Sequence, residues 1–192
     1  MNTHFDKYLN TRELIINKRP KLIVEIGIYT GENTRKIMSL YEDIKFNLVM
    51  IDDCLWMKED LRNFFKKYPE DCHRFISGIS YLKLRVFERE SIDFCFIDSD
   101  HNYYTCKKEL DALHPRLAPG GIVCLHDTES FGRKGGIMDC YGSGEEYPIE
   151  EIKKTLNKGI KDAIEDFIKD HQDYKVIGFS KESNGAIALQ KR

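Results

Sequence analysis

The sequence has almost no net charge: 30 Lys and Arg stand against 32 Asp and Glu, a formal balance of −2 over 192 residues. No strong global field therefore recruits nucleic acid or an anionic membrane surface, and a small-molecule partner is the expectation. No apolar run reaches the 18 residues of a membrane span, and the opening "MNTHFDKYLNTRELIINKRP" is charged throughout, without the apolar centre of a secretory signal. A soluble, cytoplasmic protein with no membrane partner is expected. Six cysteines, at 54, 72, 95, 106, 124 and 140, form no CxxC pair and no metal-finger spacing. Cys95 and Cys124 fall inside apolar runs, so the thiols are read as reduced packing residues. Internal repeats, low-complexity tracts and interdomain linkers are missing too, which leaves a single domain over 1–192, long enough to bury a core and host a deep pocket.

What is present is an alternation of short apolar runs with helix-length periodic segments, the pattern of a parallel sheet with crossover helices. Strands are expected at about 21–27, 46–52, 73–77, 92–98 and 121–126, and helices at about 4–17, 31–42, 57–67, 80–87 and 102–114. In the last of these Cys106, Leu110, Leu113 and Leu117 share one face, and Pro115 with "APGG" ends it. The stretch "DTESFGRKGGIMDCYGSGEEYP" has little apolar periodicity and reads as a lid at about 128–148. A helix at about 150–170 follows, with Ile152, Leu156, Ile160, Ile164 and Phe167 as its buried stripe and Gly159 as its weak point. "YKVIGF" and "GAIALQ" then close the chain as a hairpin.

The first strand runs into "VEIGIYTGENT", spaced E-x-G-x-x-x-G and not as the G-x-G-x-x-G dinucleotide fingerprint. Gly27 and Gly31 would let backbone amides approach a ligand, and Glu25 could accept a hydrogen bond from a cationic or hydroxylated one. A plain strand-to-helix turn is the alternative. The second strand ends in "VMIDD", with Asp52 and Asp53 at its carboxyl end, where a solvated loop acid is the plain reading. After the third strand come Gly78 and Ile79. The fourth strand, "IDFCFID", is apolar along its length and ends on Asp98, with Asp100 and His101 next. Ligands of open α/β sheets bind beyond the carboxyl ends of the strands, so a strand can be dry in the middle and polar at its tip.

These motifs resemble those of class I S-adenosylmethionine (AdoMet) dependent methyltransferases, and "IDFCFIDSDHNYYTCKKELDALHPRLAPGGIVCLHDT" is similar to a bacterial branch related to the catechol and caffeoyl-CoA O-methyltransferases. The resemblance implies an α/β fold: a Rossmann-like, mostly parallel seven-stranded sheet with helices on both faces and an antiparallel hairpin at the end. It also implies AdoMet held by Glu25, Gly27, Gly31, Asp52 and Asp98, with Asp52, or Asp53 one register on, accepting the ribose hydroxyls and Gly78 and Ile79 bordering the adenine, and methyl transfer to a hydroxyl of a small molecule, often in a homodimer. Relatives of the plant type hold a divalent cation such as Mg or Mn, and the matching positions here are Asp98, His126 and Asp127. His stands where the relatives have Asp, and Asp where they have Asn; imidazole suits Mn, Fe or Zn better than Mg. Capping of the strand and lid, or direct substrate binding, are the other uses open to His126 and Asp127. His101 matches a catalytic lysine and is the candidate base, with Asp98 beside it as the second catalytic residue; a helix cap is its plainer role. Tyr103 and Tyr104 could line the pocket or pack, and Trp56 could cover the cofactor. Two other functions stay open: a metal-dependent hydrolase built on Asp98, Asp100, His126 and Asp127, and an AdoMet-binding regulatory protein without chemistry. A side chain at Gly27 is expected to block the cofactor's methionine portion at modest cost to the fold.

Overall fold

The order of the strands decides where a ligand can sit. The computed structural model describes residues 10–53, 59–136, 147–182 and 184–192. Its strands are β1 (Leu22–Ile26), β2 (Asn47–Asp52), β3 (His73–Ser77), β4 (Ile92–Ile97), β5 (Leu117–His126), β6 (Tyr174–Ser180) and β7 (Ala186–Lys191). They form one sheet in the order β3-β2-β1-β4-β5-β7-β6. The first five are parallel, and β7 runs antiparallel between β5 and β6. The order reverses between β1 and β4, and that switch point opens a crevice at the strands' carboxyl ends.

The helices are α1 (Thr11–Lys18), α2 (Glu32–Ser39), α3 (Glu59–Phe65), α4 (Ser80–Lys83), α5 (Tyr103–Leu113), α6 (Ile149–Lys154) and α7 (Ile160–Asp170). Continuous apolar runs make strands here because both faces of the sheet are covered. Ile23, Met50, Phe94 and Phe96 pack with Ile15 of α1, Ile37 and Met38 of α2, and Leu61 and Phe65 of α3. Their neighbours Val24, Cys95, Val123 and Leu125 point the other way, onto Leu110 and Leu113 of α5 and Ile164 and Phe167 of α7. Cys72, Cys95, Cys106 and Cys124 are buried and unbridged, as packing residues should be; Cys54 and Cys140 lie outside the described residues.

Three expected elements differ. The helix at about 150–170 is two helices, α6 and α7, because Gly159 lies against the chain after β5: a Cβ there would sit 2.0 Å from the Phe131 carbonyl oxygen. "APGG" belongs to β5, not to a helix end. Leu117 already pairs with Ile92, and a register shift carries the extra residues before Ile122 pairs with Phe94. The helix expected over 80–87 shortens to α4 followed by a 3-10 turn, Leu84–Val86.

Candidate active site

Each parallel strand delivers a polar group to the same end of the sheet. Asp52 closes β2, and its Oδ2 accepts the backbone N–H groups of Ile28 at 2.7 Å and Tyr29 at 3.4 Å. The carboxylate thus fastens the glycine loop as well as facing the crevice. Gly27, at φ +79°, continues the ladder from β1 by donating to the Ile51 carbonyl at 3.0 Å. Its missing Cβ is required by β4: the ideal position lies 2.1 Å from the Asp98 carbonyl oxygen. Gly31, at φ +75°, opens α2, and its Cβ would meet the Leu61 side chain at 2.8 Å.

The crevice is bordered by Gly27, Asp52, Asp53, Gly78, Ser80 and Asp98, among others. Glu25, Gly31 and Ile79 stand behind this lining and not on it. Glu25 is fully buried; Oε2 accepts the Thr34 hydroxyl at 2.6 Å, and Oε1 has no partner among the described residues. Burial, against the Thr34 hydrogen bond and with help from Asp98 and Asp52, raises its pKa from 4.5 to about 8. The folded chain therefore holds a proton that the unfolded chain releases between those values, and stability should fall as pH rises through that window. Glu25→Gln is expected to remove this slope, so that its melting temperature gains on wild type between pH 5 and pH 8.5 while matching it near pH 5. A constant offset at both pH values would count against a protonated Glu25.

Beside the crevice lies a four-residue charged cluster. His101 Nε2 is 2.6 Å from Asp127 Oδ2 and 3.7 Å from Asp98 Oδ1, and His126 Nδ1 is 3.3 Å from both Asp98 Oδ1 and Asp127 Oδ1. Asp127 holds its place at φ 58°, a left-handed conformation that costs a non-glycine residue energy and recurs at functional sites. Burial works against charge at all four groups, but mutual attraction wins. It lifts His101 to about 9 and His126 to about 10, and holds Asp98 and Asp127 below the usual carboxylate range. His101 does not cap α5: Asn102 does, its side chain accepting the Thr105 N–H at 2.8 Å. The His101 ring instead stacks on Phe131 at 4.6 Å.

One ligand atom from each of Asp98, His101 and Asp127 falls within 4.8 Å of the other two, a donor set fit for a cation, with His126 alongside. Asp127 Oδ1 is buried and, apart from its 3.3 Å ion pair with His126, makes no hydrogen bond among the described residues, which leaves it able to accept an ion. From the sequence His126 was expected among the ligands and His101 outside them; in the structure His101 completes the three-residue group, and His126 Nδ1 lies 3.3 Å from both carboxylates.

Several participants escaped the sequence reading. Glu109 of α5, fully buried, accepts Ser80 Oγ at 2.5 Å and Ser99 Oγ at 2.7 Å, tying the ends of β3 and β4 together under the crevice. Burial raises its pKa to about 7 against those two hydrogen bonds. A glutamate between Cys106 and Leu110 on a buried helix face was the available signal. Tyr147 borders the crevice and donates its hydroxyl to Asp100 Oδ2 at 2.7 Å. Tyr103 donates to Asp166 and Tyr104 packs edge-on against Tyr81, so both serve packing. Trp56 and residues 137–146 of the expected lid lie outside the described residues. The described start of that segment is anchored: Phe131 and Gly132 carbonyls accept the amides of Ile160 and Lys161, and the Gly136 amide donates to the His101 carbonyl.

Solved structures share this architecture. A candidate caffeoyl-CoA O-methyltransferase from Staphylococcus aureus superposes with TM-score 0.64 at 20% identity, covering 95% of this chain and 81% of that one. An O-methyltransferase from Bacillus cereus in complex with SAH gives 0.60 at 16%, covering 94% and 78%. A 1,6-didemethyltoxoflavin-N1-methyltransferase from Burkholderia thailandensis, with bound 1,6-didemethyltoxoflavin and S-adenosylhomocysteine, gives 0.64 at 11%, covering 94% and 76%. No curated protein matches the sequence. No described helix is long and apolar enough to cross a membrane. A family model described as "Methyltransferase domain" matches residues 24–128, from inside β1 to just past Asp127, and so takes in every parallel strand end around the crevice. That match spans more than half of the sequence, and the chain belongs to this methyltransferase family, with the class I Rossmann-like sheet.

Proposed function

We propose that the protein is an AdoMet-dependent O-methyltransferase for a small hydroxylated molecule, assisted by a divalent cation held by Asp98, His101 and Asp127 with His126 beside them. The observation that carries this reading is that Asp98 belongs both to the crevice lining and to the charged cluster, so the two sites meet at one side chain. Bound SAH in the Bacillus cereus and Burkholderia structures supports AdoMet as the donor. AdoMet would supply a methyl group already activated on a sulfonium, and the cation would lower the pKa of an acceptor hydroxyl.

The chain's own residues then have three tasks. Asp52 would accept the ribose hydroxyls while fixing the loop at Ile28 and Tyr29. Gly27 and Gly78 would let the ligand lie close to the backbone, with Glu25, Gly31 and Ile79 supporting from behind. Asp98 and Asp127 would orient the acceptor side and hold His101. With both carboxylates uncompensated, His101 is protonated at neutral pH and cannot take a proton; balancing their charge frees the imidazole to act as ligand or base. Alignment of acceptor oxygen, methyl carbon and sulfur would supply most of the acceleration.

Isothermal titration with AdoMet, followed by a radiolabelled methyl-transfer assay over phenolic and sugar acceptors, tests the reading. A metal-dependent hydrolase would bind no AdoMet, and a regulatory protein would bind it without transfer. In the same titration Asp52→Ala is expected to weaken AdoMet by about 1–3 kcal/mol, the range for unpaired buried polar groups. A larger loss in Asp53→Ala would move the ribose contact one residue along.

A further inference from the structure

A second group of ligand-type side chains lies at the other end of the sheet. His114 caps the C-terminus of α5 and His171 that of α7, each closing its helix with a backbone N–H bond, to Leu110 and Phe167 respectively. α5 starts beside the charged cluster and runs back along the sheet, and β5 starts at Leu117, so His114 sits a full strand length from the crevice. Asp173 follows His171 and directly precedes β6. The two imidazole rings lie 4.0 Å apart, centroid to centroid, and one ligand atom from each of His114, His171 and Asp173 falls within 4.8 Å of the others.

We propose that His114, His171 and Asp173 form a second site, for a divalent transition-metal ion of the zinc type. Three observations converge on it. Two imidazoles and one carboxylate are the donor set that zinc, cobalt and nickel prefer over magnesium or calcium. Two helix C-termini meet there, and their partial negative charges favour a cation. Finally, the Nδ1 of His114 lies 3.4 Å from the hydroxyl of buried Tyr174, a contact that orients the ring. The nearby Lys191 ammonium is committed to the His114 and Leu117 carbonyls, at 3.1 and 3.0 Å. All three ligands are half-buried, so the ion can enter from solvent and keep water in its remaining positions. Its binding would clamp α5 to α7 and the start of β6, elements joined otherwise by packing around Phe167, the Tyr103–Asp166 hydrogen bond and the Lys107–Asp170 ion pair.

The test is a Zn²⁺ titration of the full chain, stripped with chelator, followed through histidine ring signals by NMR, which separates this site from the cluster at the crevice. The His114 and His171 signals are expected to shift together and saturate, with at least tenfold weaker binding at this site in His171→Gln and in Asp173→Asn. Wild-type rings that stay unmoved up to millimolar Zn²⁺ would overturn the proposal. So would a His114 response of unchanged affinity in both variants. Because the first of these outcomes is read on the wild type, the proposal stays refutable even if a variant folds poorly.

Discussion

Gly27→Val is expected to yield little folded protein, not a stable enzyme that has merely lost its cofactor. Two costs combine. A β-branched residue at φ +79° carries about 1–3 kcal/mol of backbone strain. The added Cβ also meets the Asp98 carbonyl oxygen at 2.1 Å, and both partners are backbone, so relief requires β1 and β4 to part; overpacking of that kind costs about 1–3 kcal/mol more. Together these approach the lower part of the usual range of about 5–15 kcal/mol for total stability. The sequence alone suggested that a side chain at this position would block the cofactor at modest structural cost. The close approach that makes glycine necessary is in fact to the neighbouring strand. Thermal unfolding with measurement of the soluble fraction decides: a variant melting within a few degrees of wild type would return Gly27 to a purely ligand-facing role.

How far the sequence reveals this molecule depends on the range of the interaction concerned. The strands and their order were legible because apolar runs of the right length and the turns after them are local signals, and a class I resemblance supplied the topology that no local signal contains. Gly159 was visible as a weak point in a long helix. That a new helix begins after it follows from the Phe131 carbonyl, 28 residues away in sequence and in contact in space. The strand tips Asp52, Asp98, His126 and Asp127 were legible for the same reason: polar residues ending dry strands mark the ligand side of the sheet. What Asp52 also does, accepting the Ile28 and Tyr29 amides, depends on the path of the loop and has no sequence signature. Glu109 and Tyr147 were missed because their partners, Ser80, Ser99 and Asp100, arrive from other elements. Pairing His101 with Asp127 likewise requires β4 and β5 to be neighbours in the sheet.

Asp127→Ala is expected to slow methyl transfer severely while leaving AdoMet binding nearly intact, because Asp127 belongs to the charged cluster and not to the crevice lining. If the cluster holds a cation that lowers the acceptor's pKa, losing this ligand should cost on the order of 100-fold in rate, equivalent to about 2.7 kcal/mol. Asp98→Ala should be more damaging, since Asp98 serves both the cluster and the crevice and its loss weakens cofactor binding as well. The pair of variants therefore separates the two roles by a binding measurement that does not depend on turnover. Removing one carboxylate also leaves two raised histidines with half their counter-charge, so calorimetric AdoMet binding is the control for a folded protein. Chelator should reproduce the Asp127→Ala phenotype in the wild type, and added Mn²⁺ or Mg²⁺ should restore wild type but not the variant. Full turnover after exhaustive chelation, with no metal by elemental analysis, would sink the cation proposal. The cluster would then be two imidazolium rings paired with two carboxylates, and its contribution to the reaction would have to be electrostatic orientation of the acceptor alone.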